Sequence, residues 1–213
     1  MKELKSILLA LWLLFISYAF FLAPIEGGKD VFLQHLFSAQ YTDPLLMTVF
    51  SLLGIWPAVY CILLLENDRA SIPAWPFALG SFVAGAFTIL PYFVFHIEKR
   101  RVKNRTPERA RLFLSNRGLY ILLLLLTVVL MAFGLYYGDV NVYADMFMQS
   151  RFVHVMTIDF IVLTLLSMVA IAHHAYYLHE RSQKLWWLGL IPIIGALIYL
   201  LITDNRQRVE EGR

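Results

Sequence analysis

The sequence predicts an all-α, polytopic transmembrane helix bundle that forms one integral membrane domain over residues 1–213. Of the 213 residues, 60% are hydrophobic and only 15% are charged, which is more apolar surface than one water-soluble core needs. Apolar runs of roughly 18 to 25 residues, long enough to cross about 30 Å of hydrocarbon, recur along almost the whole chain. We predict about six spans, at residues 4–24, 44–65, 75–96, 119–137, 152–178 and 185–203.

The first two spans are identified by their flanking residues. MKELK before an apolar run resembles a signal peptide, but the run exceeds a signal core of roughly 7 to 15 residues, and FFLAPIEGG is a poor cleavage site. We therefore interpret residues 4–24 as a helix. In Thr42-Asp43-Pro44 a capping side chain precedes a proline suited to the first turn, so Asp43 is predicted to cap the second span.

The middle of the chain combines an aromatic-led span with a basic loop. In the third span, GSFVAGAF places Gly80, Ala84 and Gly85 where another helix can approach closely. Residues 97–118 then form the basic loop, in which TPERARLFLSNRG predicts a short surface helix. The fourth span follows with ILLLLLTVVLMAFGL, which contains no charge and no helix breaker.

The two halves of the sequence share an order of segments. Each has a long apolar helix, a mixed connector, a second helix, a short charged turn and an aromatic-led helix; FLAPIEGGKDVFLQHLF compares with FGLYYGDVNVYADMFMQSRF. A 3+3 pseudo-repeat is one interpretation, and an odd number of spans per half would make the halves inverted, as in some transporters. Chance similarity among hydrophobic segments is the other interpretation.

Basic residues predict the orientation of the bundle. The loop from Lys99 to Arg117 carries eight of them. The positive-inside rule places this loop in the cytoplasm, or in the stroma of a plastid, and puts both termini on the far side. The loop is short and has little aromatic interleaving, so its predicted partner is anionic lipid headgroups and not nucleic acid.

The residue content excludes several chemistries. Five of the six lysines lie outside the predicted spans and Lys5 stands at the very start of the first, so no membrane-buried amine is available for a retinal-type Schiff base. The single cysteine, Cys61, rules out an intrachain disulfide and a two-cysteine metal site. The sequence has no Walker loop and no GxGxxG, GxSxG or HExxH motif. We therefore predict no catalytic residues, and the sequence identifies no cofactor.

Histidines are the candidate metal or haem ligands. HHAYYLHE, which begins at His173, has an HxxxxH spacing that resembles one box of membrane di-iron desaturases and hydroxylases. Those enzymes use several such boxes, and this chain has too few histidines for them. A haem needs only two ligands, which His173 with His96 or His154 can supply. Because most histidines fall at span ends, where they reach headgroups without a metal, we predict no metal site.

Asp159 is the first candidate for a functional site because it lies inside the fifth span. It shares a helix stripe with His173, about 21 Å away, and the two can mark the mouths of one crevice between helices. The ligand-binding or pathway candidates are Asp159, His173, His154 and Glu66, which closes the second span. A buried helix-to-helix hydrogen bond is the alternative role for Asp159. Possible polar neighbours are Thr48, Ser51, Thr88 and Thr127.

Two stretches carry a family resemblance. GIWPAVYCILLLENDRASIPAWPFALGSFVAGAFTILPYFVF resembles uncharacterised polytopic membrane proteins of cyanobacteria and plastids. IPIIGALIYLLITDNR is similar to the closing span of the plastid membrane family associated with neoxanthin synthesis. The resemblance implies a thylakoid or plasma membrane of a photosynthetic organism, and it carries over no catalytic residue.

Three functions fit these observations. The first is a non-catalytic membrane protein that binds a hydrophobic ligand, a lipid or pigment, or a larger membrane complex. The second is a small-solute or proton-coupled transporter, which the repeat and Asp159 favour. The third is a membrane enzyme acting on an isoprenoid or lipid, which only the neoxanthin-family resemblance favours. We rank them in that order.

Overall fold

A computed structural model of the chain describes residues 2–23, 30, 32, 43–95, 103–178 and 181–211. No strand occurs among these residues, and helices account for most of them, which confirms the all-α prediction. The α-helices are α1 (Lys2–Ser17), α2 (Pro44–Leu65), α3 (Trp75–Ala84), α4 (Ala86–Phe95), α5 (Glu108–Leu114), α6 (Arg117–Tyr137), α7 (Val140–Gln149), α8 (Arg151–Leu178) and α9 (Ile194–Glu211). A π-helix (Tyr18–Leu22) continues α1, and a 3₁₀ helix (Arg181–Leu190) precedes α9.

Four helices in the described part of the chain are long and apolar enough to cross a membrane. They are α1 with its π-helical continuation, α2, α6 and α8, with 20, 22, 21 and 28 residues in the apolar segment. They correspond to the first, second, fourth and fifth predicted spans. Much of α1 and α6 is exposed apolar surface, including Leu122, Leu125 and Val129 of α6, which suits contact with lipid tails.

The third predicted span is not one continuous helix. α3 ends at Ala84, and the chain reverses at Gly85, whose φ is 49°, before α4 begins. The rings of Phe77 and Tyr92 lie 5.6 Å apart, so the start of α3 packs against the end of α4. α3 and α4 therefore form an antiparallel helical hairpin, and at 1.5 Å per residue each arm reaches about 15 Å into the bundle.

The sixth predicted span is also broken. The 3₁₀ helix ends at Leu190, and Ile193, with a φ of 58°, stands directly before α9. The Ser167 hydroxyl, near the middle of α8, donates a 2.8 Å hydrogen bond to the carbonyl of Gly189. Farther along, Tyr199 of α9 is hydrogen-bonded to His174, near the end of α8. The chain thus descends beside α8 to its middle and returns, which makes a second hairpin.

Both hairpins open toward the same end of the bundle. We call this the Glu66 end, after the residue that follows α2, and the other the Asp43 end, after the residue that caps α2. Tyr18, after α1, bonds to His154 near the start of α8, so α1 finishes at the Asp43 end and begins at the Glu66 end. α9 also runs toward the Glu66 end, so the chain begins and ends on the side of the basic loop. The predicted separation of loop and termini depended on residues 75–96 and 185–203 each crossing the membrane, whereas both segments form hairpins in the structure.

α2 is the central helix, in contact with α3, α6 and α8. Its side chains Trp56, Val59 and Tyr60 are fully buried, and they join the main apolar core with residues of α4, α8 and α9. The arms of the hairpins are divided between neighbours: α1 packs on α4 and α3 on α2, whereas α6 packs on α9 and the 3₁₀ helix on α8. The core therefore forms only when each hairpin lies against two long helices.

The predicted cap of α2 and the predicted surface helix are both present in the structure. Asp43 caps α2 by accepting a 2.8 Å hydrogen bond from the backbone N–H of Leu45, as predicted, and its other oxygen accepts from the N–H of Asp139. The predicted surface helix is present as α5, which buries none of its residues. Thr106 does not cap it; its hydroxyl donates to the carbonyl of Leu65 at the end of α2.

Candidate functional site

Asp159 lies at the tip of the α3–α4 hairpin. Its Oδ1 accepts a 2.8 Å hydrogen bond from the backbone N–H of Ala86, the first residue of α4, and the side chain is only 8% exposed. The first N–H groups of a helix have no partner within the helix, and the helix dipole places partial positive charge there. Asp159 therefore caps a helix that begins inside the bundle, which explains a carboxylate within an apolar span.

Gly85 lets the hairpin tip approach Asp159. A Cβ built on Gly85 would stand 1.9 Å from Oδ2 of Asp159, and the φ of 49° is one that residues with side chains rarely adopt. The sequence interpretation assigned Gly85 to helix packing in general, without a partner. The structure supplies the partner: a glycine turn and a carboxylate 74 positions apart along the chain form one unit.

A cavity of about 330 Å³ adjoins this unit. It lies between α2, the hairpin tip and the first turns of α8, and its residues are Phe50, Ser51, Leu53, Gly54, Ser81, Phe82, Val83, Ala84, Gly85, Phe87, Phe152, Val155, Met156 and Asp159. The volume falls at the lower end of the roughly 300–1,000 Å³ typical of small-molecule pockets. Asp159 is the one ionisable side chain in this lining, and no described residue donates a hydrogen bond to its Oδ2.

Gly54 provides open space on the α2 side of the cavity. It is exposed, it lies in the interior of a helix, and a Cβ there would meet no atom within 4 Å. A side chain at position 54 would therefore extend into free volume without displacing protein.

The hydroxyl groups proposed as polar neighbours do not bond to Asp159. Each donates to a backbone carbonyl: Thr48 to Leu130, Ser51 to Met47, Thr88 to Gly85 and Thr127 to Leu123. Such bonds satisfy hydroxyls inside a membrane helix without any ligand. The donor to the Asp159 carboxylate is instead the backbone N–H of Ala86. Because every residue except proline has such an N–H, the order of side chains in a sequence does not identify it as a donor.

His173 does not share a site with Asp159. Its ring nitrogen Nε2 lies 3.3 Å from the hydroxyl of Tyr92, and the ring packs against Phe93 and Tyr177 at the Glu66 end. The cavity beside Asp159 does not include His173 in its lining. The cavity beside Asp159 therefore does not extend to His173.

His154 is held by neighbours at the Asp43 end. It is hydrogen-bonded to the hydroxyl of Tyr18 and, through Nδ1, to the carbonyl of Phe147, and its ring stacks between the same two residues. His154 and His173 are 19 residues apart on one helix, about 28 Å at 1.5 Å per residue, so they cannot ligate one haem. His96, the other proposed partner, lies outside the described residues.

Glu66 belongs to a polar cluster at its own end of the bundle. One carboxylate oxygen lies 3.1 Å from Nε2 of His174, and the other accepts a 2.9 Å hydrogen bond from Ser115. His174 in turn bonds through Nδ1 to Tyr199, at 2.9 Å. We call these four residues the Glu66 cluster. It ties the ends of α2, α8 and α9 to the turn before α6.

The pKa of Glu66 is set by two opposing effects. Burial raises the pKa, but the hydrogen bond and charge of His174, with smaller contributions from Ser115 and Arg111, outweigh it, so the pKa lies below its ordinary value. His174 is only 1% exposed, and sequence reasoning identified neither it nor Ser115 and Tyr199 as part of a site. The position of His174 next to His173 could have indicated a second site, because consecutive residues of a helix point to different faces.

The fold and these sites define a helical membrane protein with four long apolar helices and two hairpins that end inside the bundle. Among the described residues, no group of three or more histidine, cysteine, aspartate or glutamate side chains is placed to hold a metal ion. No protein family, curated protein or solved structure matches the chain.

Proposed function

We propose that this protein is a non-catalytic integral membrane protein that binds a hydrophobic ligand, such as a lipid or pigment, in the cavity beside Asp159. One observation carries the proposal: an apolar cavity that contains a single buried carboxylate with one oxygen lacking a described donor. Ligand pockets typically combine an apolar lining with a few placed polar groups that fix orientation. Asp159 is suited to that orienting role.

Access to the cavity from the lipid phase is part of this proposal. Val83, in the last turn of α3, is 94% exposed, and Phe82 beside it is also exposed. Both line the cavity, so its rim belongs to the outer apolar surface of the bundle. A hydrophobic molecule dissolved in the bilayer therefore reaches the cavity without crossing water.

Replacing Gly54 with leucine is expected to abolish ligand binding without destabilising the fold. The new side chain would occupy the cavity, and it replaces a poor helix former with a good one inside α2. The measurement is mass spectrometry of small molecules extracted from protein purified in mild detergent. Val129→Leu, which enlarges an exposed side chain of α6 outside the cavity, is the matched control.

A molecule recovered in stoichiometric amount from the wild type and from Val129→Leu, and lost from Gly54→Leu, supports the proposal. The same lipids recovered in the same amounts from all three proteins would count against a specific site. A clean wild-type monomer that carries no extractable molecule would count against it more heavily.

We also propose an orientation in which the Glu66 end faces the cytoplasm, or the stroma of a plastid. Among the lysines and arginines that the structure describes, only Arg151 lies at the Asp43 end. The positive-inside rule then favours this orientation more strongly than a six-span count does. The surface helix α5 exposes Leu112 and Phe113 beside Arg109, which suits contact with anionic headgroups at that face.

The 3+3 pseudo-repeat is proposed here in a revised form, with two crossings and one hairpin in each half. α1, α2 and the α3–α4 hairpin would correspond to α6, α8 and the hairpin made by the 3₁₀ helix and α9. The matching contacts of α1 with α4 and of α6 with α9 support the correspondence. Because α1 and α6 both run toward the Asp43 end, these halves would be parallel, so the argument for an inverted-repeat transporter loses its basis.

A transporter remains the second candidate because helices that end inside a membrane are typical of transport sites. A cysteine at position 54, in a Cys61→Ala background, distinguishes the two functions. A pocket reached from lipid predicts that membrane-permeant thiol reagents modify Gly54→Cys and that impermeant reagents do not. Rapid modification by an impermeant reagent would favour a water-filled pathway and would contradict the lipid-facing pocket.

A further inference from the structure

We propose that the ligand of the Asp159 cavity is a compact lipophilic amine, bound as an ammonium group hydrogen-bonded to Oδ2 of Asp159. The inference rests on the proposed function and names the chemical class of the ligand. It depends on three properties of the cavity: the charge of its polar groups, the type of its apolar side chains and the location of its helix ends.

The polar groups of the cavity favour a donor that carries positive charge. Among the described lining residues there is no lysine, arginine or histidine, so nothing there balances an anionic headgroup. Oδ1 of Asp159 is already engaged by the N–H of Ala86, and Oδ2 lies beside Gly85 without a described donor. The two serines of the lining, Ser51 and Ser81, each donate to a carbonyl of their own helix. A carboxylate oxygen is thus the acceptor left for the ligand, and its strongest donors are cationic.

The helix ends at the cavity act in the same direction. α3 terminates at Ala84, and the carbonyl groups of its last turn give this end partial negative charge. The opposite charge at the start of α4 is met by Oδ1 of Asp159. After that pairing, the unbalanced potential at the hairpin tip is negative, which attracts a cation and repels a carboxylate or phosphate.

The apolar lining is aromatic in a way that suits an ammonium group. Four phenylalanines, at positions 50, 82, 87 and 152, line a cavity of about 330 Å³. The faces of aromatic rings attract cations, and rings arranged around a small site are a common means of recognising alkylammonium groups. Phe50 and Phe152 are themselves packed together, with ring centroids 6.0 Å apart, so that part of the wall is preformed.

The test is a comparison of three probes with the same tail: n-octylamine, 1-octanol and octanoate. The protein is held in nanodiscs of phosphatidylcholine, and titration calorimetry corrected with empty nanodiscs measures each dissociation constant. For the wild type we expect the amine to bind at least about tenfold more tightly than the alcohol, and the alcohol more tightly than octanoate.

Two variants tie this preference to the cavity. Asp159→Asn keeps an oxygen for the N–H of Ala86 but removes the charge, so the amine should lose its advantage while octanol binding changes by less than about threefold. Gly54→Leu fills the cavity and should remove the binding of both probes. An amine preference that persists in Asp159→Asn would overturn the inference.

The two proposals fail separately in this experiment. Wild-type protein that binds octanol as tightly as octylamine, with both lost in Gly54→Leu, would overturn the amine while leaving a hydrophobic pocket. Protein that binds none of the probes, or that binds them unchanged in Gly54→Leu, would overturn the amine and would count against the cavity as a ligand site.

Discussion

Gly85→Ala is expected to lower the free energy of unfolding by about 3–5 kcal/mol, a large fraction of the roughly 5–15 kcal/mol typical of a folded domain. The methyl group would stand 1.9 Å from Oδ2 of Asp159, so the carboxylate must move and abandon the N–H of Ala86. The backbone at Gly85, with φ 49° and ψ −128°, is also strained for alanine. Unfolding by increasing dodecyl sulfate in mixed micelles, followed by tryptophan fluorescence, measures the change.

Gly54→Ala is the matched control for this prediction. Position 54 is also a glycine that lines the cavity, but a Cβ there meets nothing within 4 Å and the backbone is helical. Alanine should be neutral or should stabilise α2 by about 0.5–1 kcal/mol. Equal losses for Gly85→Ala and Gly54→Ala would contradict the proposed contact at the hairpin tip.

A second background separates the two costs at Gly85. In Asp159→Ala protein the carboxylate is absent, so Gly85→Ala should cost only the backbone strain, about 1–3 kcal/mol. The difference between the two backgrounds measures the coupling of the two residues. Identical costs in both backgrounds would mean that Asp159 does not contact the glycine.

The long helices were predictable because composition alone decides whether a segment can cross a membrane. The hairpins were not, since an apolar run of about 20 residues satisfies the same criterion whether it crosses the bilayer or turns back within it. What distinguishes the two is the positive φ at Gly85 and at Ile193, and each depends on contacts with α8. Those contacts join segments that are far apart along the chain.

The broken spans also bear on the predicted orientation. Six crossings would place the basic loop and the basic termini on opposite sides and divide the lysines and arginines between them. In the structure, residues 75–95 and 185–203 form hairpins, and the lysines and arginines of the described residues, apart from Arg151, lie at the Glu66 end.

Asp159 illustrates what a sequence can say about a site. Its placement in an apolar span identified it as unusual, and the structure shows that it is buried and in contact with the hairpin tip. Its partner was not predictable, because a backbone N–H is released only when a helix starts at Ala86. The cavity was equally hidden, since its phenylalanines and Gly54 come from α2, the hairpin and α8.

The second large effect is expected at the Glu66 cluster. His174→Leu would leave the Glu66 carboxylate buried beside Ser115 without its partner His174, and removing one member of a buried pair typically costs about 3–5 kcal/mol. Removing both members in Glu66→Leu/His174→Leu should recover much of that loss, because no charge is then left buried. A double variant as unstable as His174→Leu alone would contradict the pairing.

The stability of His174→Leu should depend less on acid pH than that of the wild type. In the wild type, burial raises the pKa of Glu66, but His174, with smaller contributions from Ser115 and Arg111, outweighs burial and holds the pKa below its ordinary value of 4.5. Glu66 therefore contributes stability above that value, and the contribution is lost as the pH falls through the folded pKa. In His174→Leu only the smaller contributions of Ser115 and Arg111 oppose burial, so the pKa of Glu66 should rise and the variant should lose less stability on acidification. Parallel stability profiles for the two proteins would show that His174 does not set the charge of Glu66.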